Sequence, residues 1–107
     1  GLAGIIAANT TISRSGLRTS ARIVEAFGAG GLSGRPLTER SLEVLRIVKE
    51  ASGDRLCIIS VGGVADAAEV RRRLDAGATL VQGYTEFLYA GPMWAASINR
   101  GLARLAR

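Results

Sequence analysis

Residues 56–69 read Leu56-Cys57-Ile58-Ile59-Ser60-Val61-Gly62-Gly63-Val64-Ala65-Asp66-Ala67-Ala68-Glu69. Leu56–Val61 is a continuous, largely apolar run, too short for a lone helix, and it suits a strand covered on both faces. It ends in Gly62-Gly63. Asp66-Ala67-Ala68-Glu69 then has the form of a capping box, with the Asp66 carboxylate accepting from the third backbone N–H of the turn. The helix it opens carries Val70 and Leu74 inward and ends at Gly77. Strand, glycine turn and capped helix make one crossover unit.

The same grammar extends in both directions. Downstream, Thr79–Gly83 reads as another strand, ending at Tyr84-Thr85, and a last helix from about Met93 puts Ile98, Leu102 and Leu105 on one face. Upstream, Pro36 precedes a helix in which Leu42, Leu45, Val48 and Ala51 recur at helical spacing, with Glu43, Arg46, Lys49 and Glu50 outward. Thr38 or Ser41 is placed to cap its start, and Gly53 stops it. Leu2–Ala8 is the first strand, ending at Asn9-Thr10-Thr11. Between them lie a polar stretch, Ser13–Ser20, and an Ala- and Gly-rich segment up to Gly34. With Gly28, Gly30, Gly31 and Gly34, that segment reads as a loop that turns tightly or approaches something closely.

Apolar strands alternating with helices imply an α/β fold with a parallel sheet of right-handed crossover units. There are about three such units. A closed eight-stranded (β/α)8 barrel takes about 250 residues, so this chain supplies rather less than half of one. A small open sandwich fits the length too, but its outer strands would expose apolar edges. The chain begins directly on a strand-like run without Met, and that abrupt start is expected of a piece of something longer.

The chain has 107 residues, 48% hydrophobic, 21% charged and 5% aromatic, a soluble globular composition for one domain. A lone cysteine, Cys57, excludes an internal disulfide framework, and it reads as an inert small hydrophobe inside a strand. With one Cys and no His a zinc site is not expected, and any triad or proton shuttle that needs imidazole on this chain is excluded. The net charge of +5 invites a nucleic-acid reading. The distribution argues against it, because basic residues are scattered apart from Arg71-Arg72-Arg73 and no aromatics interleave them as a stacking platform. The charge reads as solvated surface. No targeting segment or run of membrane-spanning length appears.

In parallel α/β architecture, ligands bind outside the carboxyl ends of the strands. The polar and glycine clusters fall there: Asn9-Thr10-Thr11, Gly62-Gly63 and Tyr84-Thr85. Gly30–Gly34 joins them only if it belongs to the long connection after the first strand. Two glycines ahead of a helix expose backbone N–H groups and let a phosphate approach without Cβ obstruction. A sterically tight turn is the plainer alternative. Asn9 offers an acceptor and two donors to a planar amide or carboxylate, and Thr10 and Thr11 add hydroxyls. Equally, Asn-Thr-Thr could satisfy backbone groups within a turn. Tyr84 reads as structural and Trp94 as a packing anchor.

Taken together, four ordered strings resemble dihydroorotate dehydrogenase, the flavin-dependent enzyme of pyrimidine synthesis. They are Asn9-Thr10-Thr11-Ile12-Ser13-Arg14, Gly30-Gly31-Leu32-Ser33-Gly34-Arg35-Pro36-Leu37, Ile58-Ile59-Ser60-Val61-Gly62-Gly63-Val64 and Ala76-Gly77-Ala78-Thr79-Leu80-Val81-Gln82-Gly83-Tyr84-Thr85, with Gly91-Pro92 following. The series covers nearly the whole chain, and Gly-Gly-Leu-Ser-Gly is similar to the quinone-dependent, membrane-associated class 2. The resemblance implies the C-terminal portion of a TIM barrel, roughly the sixth to eighth βα units. It implies that Asn9 and Thr10 contact dihydroorotate or orotate. It further implies that Ala8, Gly34, Gly63, Tyr84 and Thr85 contact FMN, the last three near its phosphate. Two positions depart from the pattern. Ala8 stands where many relatives carry Thr, which leaves only a backbone contact, and Glu86 stands where Gly is common, adding a charge that must point outward or pair with Arg.

In the family, a proton leaves C5 of dihydroorotate, hydride passes from C6 to the flavin, and quinone takes the electrons. The class 2 base is a serine earlier in the barrel, outside this sequence, as are the flavin-contacting lysine and the N-terminal quinone-binding helices. The resemblance therefore implies that this chain contributes no catalytic base and is inert alone. It also implies membrane contact only through the missing segment, at the cytoplasmic face, with this chain itself soluble. Other readings are a fragment of a different phosphate-binding FMN barrel and a self-associating, non-catalytic half-barrel.

Overall fold

Residues 1–106 are described by a computed structural model of the chain. Three parallel strands, β1 (Gly4–Ala7), β2 (Cys57–Val61) and β3 (Leu80–Gln82), form one sheet in the order β1-β2-β3. Ile6 pairs with Ile59, and Ile59 with Leu80, so one row of residues crosses all three strands in register. Helix α1 (Ala21–Ala26) and helix α2 (Thr38–Ser52) fill the connection from β1 to β2, α2 following a 3-10 turn at Arg35–Leu37. Helix α3 (Ala67–Asp75) joins β2 to β3, and α4 (Thr85–Ala90) and α5 (Trp94–Leu105) follow. Strand, helix, strand, helix, strand is the expected α/β order.

Side chains alternate across a strand, so each strand offers one face to the helices. Leu42 and Leu45 of α2 meet Ile58 and Ala78 in a fully or nearly fully buried cluster, with Ile5, Val48, Leu56, Ala76 and Val81 packed around it. Burying each leucine contributes about 1.5–3 kcal/mol. Among the described residues no element covers the opposite face: Ile6 and Leu80 are 58% and 57% exposed. Every helix of the described residues that packs on the sheet lies on the Ile58 side. Cys57 belongs to the open face and is exposed rather than buried.

Four other local expectations are corrected. The Ala- and Gly-rich segment is not all loop, since it contains α1. Neither Thr38 nor Ser41 caps α2, whose cap position is Leu37 without a side-chain bond. Leu74 is partly exposed on the side of α3 toward α5, because Arg73 takes the inward position beside Val70. Leu105 and Ala51 are exposed. The Asp66 half of the α3 capping box is as expected, Glu69 N–H donating to Asp66 Oδ1 at 2.8 Å, whereas the Glu69 carboxylate turns to Arg72 and Arg73. Gly53 ends α2 with φ 59°.

Candidate active-site wall

Of the residues expected at the site, Ala8, Asn9, Thr10, Gly34, Gly63, Tyr84 and Thr85 line one cavity of about 240 Å³ at the carboxyl ends of the strands, whereas Thr11 does not. That volume lies just below the range of about 300–1,000 Å³ usual for complete small-molecule sites, as befits one wall of a larger site. Strand direction explains the convergence. All three strands run the same way, so their following residues emerge on one rim.

The loops are cross-linked around the cavity. Thr11 and Leu32 exchange backbone hydrogen bonds of 3.0 and 2.8 Å, which draws the glycine-rich segment against the end of β1. A side chain on Gly31 would overlap Thr10. Arg14 donates to the Gly30 carbonyl from the same side. Thr85 Oγ1 donates to Ser33 Oγ at 2.9 Å, joining that segment to the end of β3. The connection after the first strand therefore does reach the rim.

Each site residue is left with a definite set of free groups. Ala8 N–H donates to the Val61 carbonyl at 3.1 Å, so its own carbonyl is the polar backbone group that remains. Asn9 Oδ1 accepts from Thr10 N–H at 2.8 Å, which orients the amide and leaves its NH2 to donate outward. The Thr85 hydroxyl is committed to Ser33, leaving the Thr85 backbone N–H. Tyr84 is 74% exposed and stands at the cap of α4. Trp94 is the expected packing anchor, donating from Nε1 to the Ala65 carbonyl at 2.9 Å.

At the end of β2, Gly62 and Gly63 have φ of 113° and 69°, left-handed values that side chains resist. The start of α2 packs directly on them: a Cβ on Gly63 would lie 2.5 Å from Thr38 N. Ser41 Oγ donates to the Gly62 carbonyl and Thr38 Oγ1 to the Gly63 carbonyl, both at 2.7 Å. Those hydroxyls thus serve the glycine turn instead of capping their own helix.

Behind the turn lies Arg73, fully buried. Its Nε donates to Glu69 Oε1 at 2.7 Å, its Nη1 to Ser60 Oγ at 2.9 Å, and its Nη2 to the Thr38 and Gly62 carbonyls at 3.0 Å each. Sequence reading placed Arg71-Arg72-Arg73 on the surface and missed this. The available signal was helical spacing, Arg73 lying three residues after the apolar Val70 and four after Glu69. Arg72 stays at the surface, bridging Glu69 and Glu39, with two contacts to Glu39 of 2.7 and 2.8 Å. The Arg72 guanidinium holds the Glu39 carboxyl below its ordinary value, chiefly by hydrogen bonding.

Arg35 and Glu86 also line the cavity, as its one basic and one acidic residue. Glu86 enters none of the ion pairs among the described residues and is half-buried on the wall, so it neither pairs with arginine nor points wholly outward. Among the described residues, no helix is long and apolar enough to cross a membrane.

Comparison with known proteins places similar sequences in one family. Residues 1–105 match the family described as Dihydroorotate dehydrogenase. The chain is 67% identical over 107 residues to dihydroorotate dehydrogenase (quinone) of Clavibacter sepedonicus, covering all of this chain and 31% of that protein. It is 57% identical over 107 residues to the protein of the same description from Nocardia farcinica, covering 29% of it. The chain thus spans about a third of the length of the curated relatives it matches. Among solved structures it is similar to dihydroorotate dehydrogenase of Eimeria tenella in complex with ferulenol, with a TM-score of 0.87 and 33% identity over 97% of this chain and 27% of that one. The ligand-free form from the same organism superposes with a TM-score of 0.83 over 94% of this chain.

Proposed function

Given that the chain belongs to the dihydroorotate dehydrogenase family and is a piece of its barrel fold, we propose that it forms the C-terminal wall of a quinone-dependent enzyme oxidising dihydroorotate to orotate in pyrimidine synthesis, with FMN as cofactor. One observation carries this reading: residues from three strand ends and the glycine-rich segment share a single cavity.

The donor set fits a flavin nucleotide. Carbonyl oxygens of the glycine turn are bonded on the helix side, so the anion-facing groups are N–H donors from Gly63 and Thr85, with Tyr84 alongside and Arg35 supplying positive charge. Gly34 has φ 83° and stands where an added Cβ would lie 3.4 Å from the Thr85 methyl. Ala8 and Asn9 line the same cavity, and Asn9 with Thr10 would orient the substrate. FMN, when bound, accepts hydride from the substrate. This chain's own part is binding and orientation.

No serine of this chain is proposed as the base. Ser33 accepts from Thr85, Ser41 donates to Gly62 and Ser60 accepts from buried Arg73. The base, the quinone site and peripheral membrane attachment at the cytoplasmic face belong to segments beyond these 107 residues, and the chain alone is inert.

The test is a hybrid in which this chain replaces the matching third of the Clavibacter sepedonicus protein. The hybrid should bind FMN and reduce quinone with dihydroorotate, while the isolated chain does neither at comparable concentration. A hybrid that folds but binds no flavin would overturn the reading.

A further inference from the structure

We propose that Arg73 is a positioning residue for the nucleotide phosphate: it holds the Gly62–Gly63 turn in the one orientation that presents N–H groups to the cavity. The inference rests on the flavin-phosphate reading given above.

Glycine solves one problem and creates another. Without Cβ atoms the turn lets an anion approach closely, yet glycine peptides also rotate at low steric cost. A trans peptide carries its C=O and its following N–H on opposite edges. If the Gly62–Gly63 peptide turned over, a carbonyl oxygen would face the phosphate and repel it. Glycine alone therefore gives access without direction.

The direction comes from behind. The Gly62 carbonyl accepts from Ser41 Oγ at 2.7 Å and from Arg73 Nη2 at 3.0 Å, which uses both of its lone pairs. The Gly63 carbonyl accepts from Thr38 Oγ1 at 2.7 Å. Peptide planarity then sends the Gly63 and Val64 N–H groups the other way. Both residues line the cavity, and among the described residues neither N–H donates to a protein acceptor.

Arg73 suits this work because its fork reaches several elements at once. Through Nε, Nη1 and Nη2 it ties α3 (Glu69), β2 (Ser60), the start of α2 (Thr38) and the turn itself (Gly62). Its charge is matched by Glu69 and it is fully buried. It acts through the turn rather than by contact with the ligand.

The experiment compares FMN with riboflavin, which lacks the phosphate, in the hybrid enzyme and its Arg73→Met, Arg73→Lys and Ser41→Ala variants. Losing charge-assisted or neutral hydrogen bonds to the turn predicts that the preference for FMN falls about tenfold or more in Arg73→Met and about threefold in Ser41→Ala. Riboflavin affinity should hold, and Arg73→Lys should keep part of the preference. Equal weakening of both flavins, or an undiminished preference in the variants, overturns the proposal. If Arg73→Met fails to fold, Ser41→Ala and Arg73→Lys decide by the same criterion. An unsubstituted hybrid that binds FMN no better than riboflavin instead sinks the phosphate reading beneath it.

Discussion

The indole of Trp94 occupies the space where a side chain on Gly83 would stand. From there its Nε1 reaches the Ala65 carbonyl at 2.9 Å, so one residue of α5 fastens both the end of β3 and the loop after β2. Gly83→Ala should destabilise the hybrid by about 1–3 kcal/mol through overpacking. Trp94→Phe keeps most of the ring and loses the hydrogen bond, at a cost of about 0.5–1.5 kcal/mol. Urea unfolding measures both; a neutral Gly83→Ala would show that this contact does not constrain the fold.

Glu69 is the counter-charge of a fully buried guanidinium, with its own side chain 11% exposed. Removing it strands the Arg73 charge. Glu69→Ala should therefore cost about 3–5 kcal/mol, far more than breaking the exposed pair Arg40–Glu43. Unfolding midpoints of the two single variants, Glu69→Ala and Glu43→Ala, provide the comparison.

Glu86, which enters no ion pair among the described residues, places a carboxylate on the cavity wall where the nucleotide phosphate is proposed to sit. Glu86→Gly should tighten FMN binding by about two- to fivefold at low ionic strength, with the gain shrinking as salt rises. Riboflavin binding should not change. A flavin titration at two salt concentrations reads this directly.

Asn9 has its amide oriented by the Thr10 N–H and its NH2 free. Asn9→Ala should weaken orotate by about tenfold, the loss expected for one or two hydrogen bonds, and leave FMN affinity in place. The change in the flavin absorption spectrum on titration with orotate is the assay. Parallel loss of both ligands would place Asn9 in the loop architecture instead.

The Glu39 carboxyl titrates below its ordinary value near 4.5 because Arg72 hydrogen-bonds the charged form. A depressed carboxylate adds stability above its unfolded pKa and loses it as pH falls through the folded one. Asp54, held down from an ordinary 3.8 by Lys49, acts in the same sense lower on the scale. Melting temperature should thus fall on acidification below about pH 4.5, and Glu39→Gln should flatten the upper part of that fall. An identical pH profile in Glu39→Gln would show that the surface bridge contributes nothing.

The site was legible to different depths along the chain. Gly62-Gly63, Asn9-Thr10 and Tyr84-Thr85 could be assigned to a common rim because they directly follow strands, and position relative to a strand end is a short-range property. Their partners could not be assigned. Thr38 and Ser41 have the residue types of helix caps, yet their hydroxyls cross to carbonyls more than twenty positions away. Leu74 and Arg73 are adjacent, and periodicity alone favours the leucine as the inward residue.

What the sequence by itself determined was the alternation of apolar runs and amphipathic segments, hence three parallel strand–helix units and the side on which polar residues gather. These follow from backbone geometry and hydrophobic periodicity within windows of a dozen residues. Only the tertiary structure decided that Arg73 lies inside and that Ser33 meets Thr85. Burial of a charge depends on what stands opposite it, here Ser60, Glu69 and two carbonyls brought together from three elements. Helical spacing marks Glu69 as a partner, but Ser60 and the two carbonyls are neighbours in space and strangers along the chain, so no local pattern reports them.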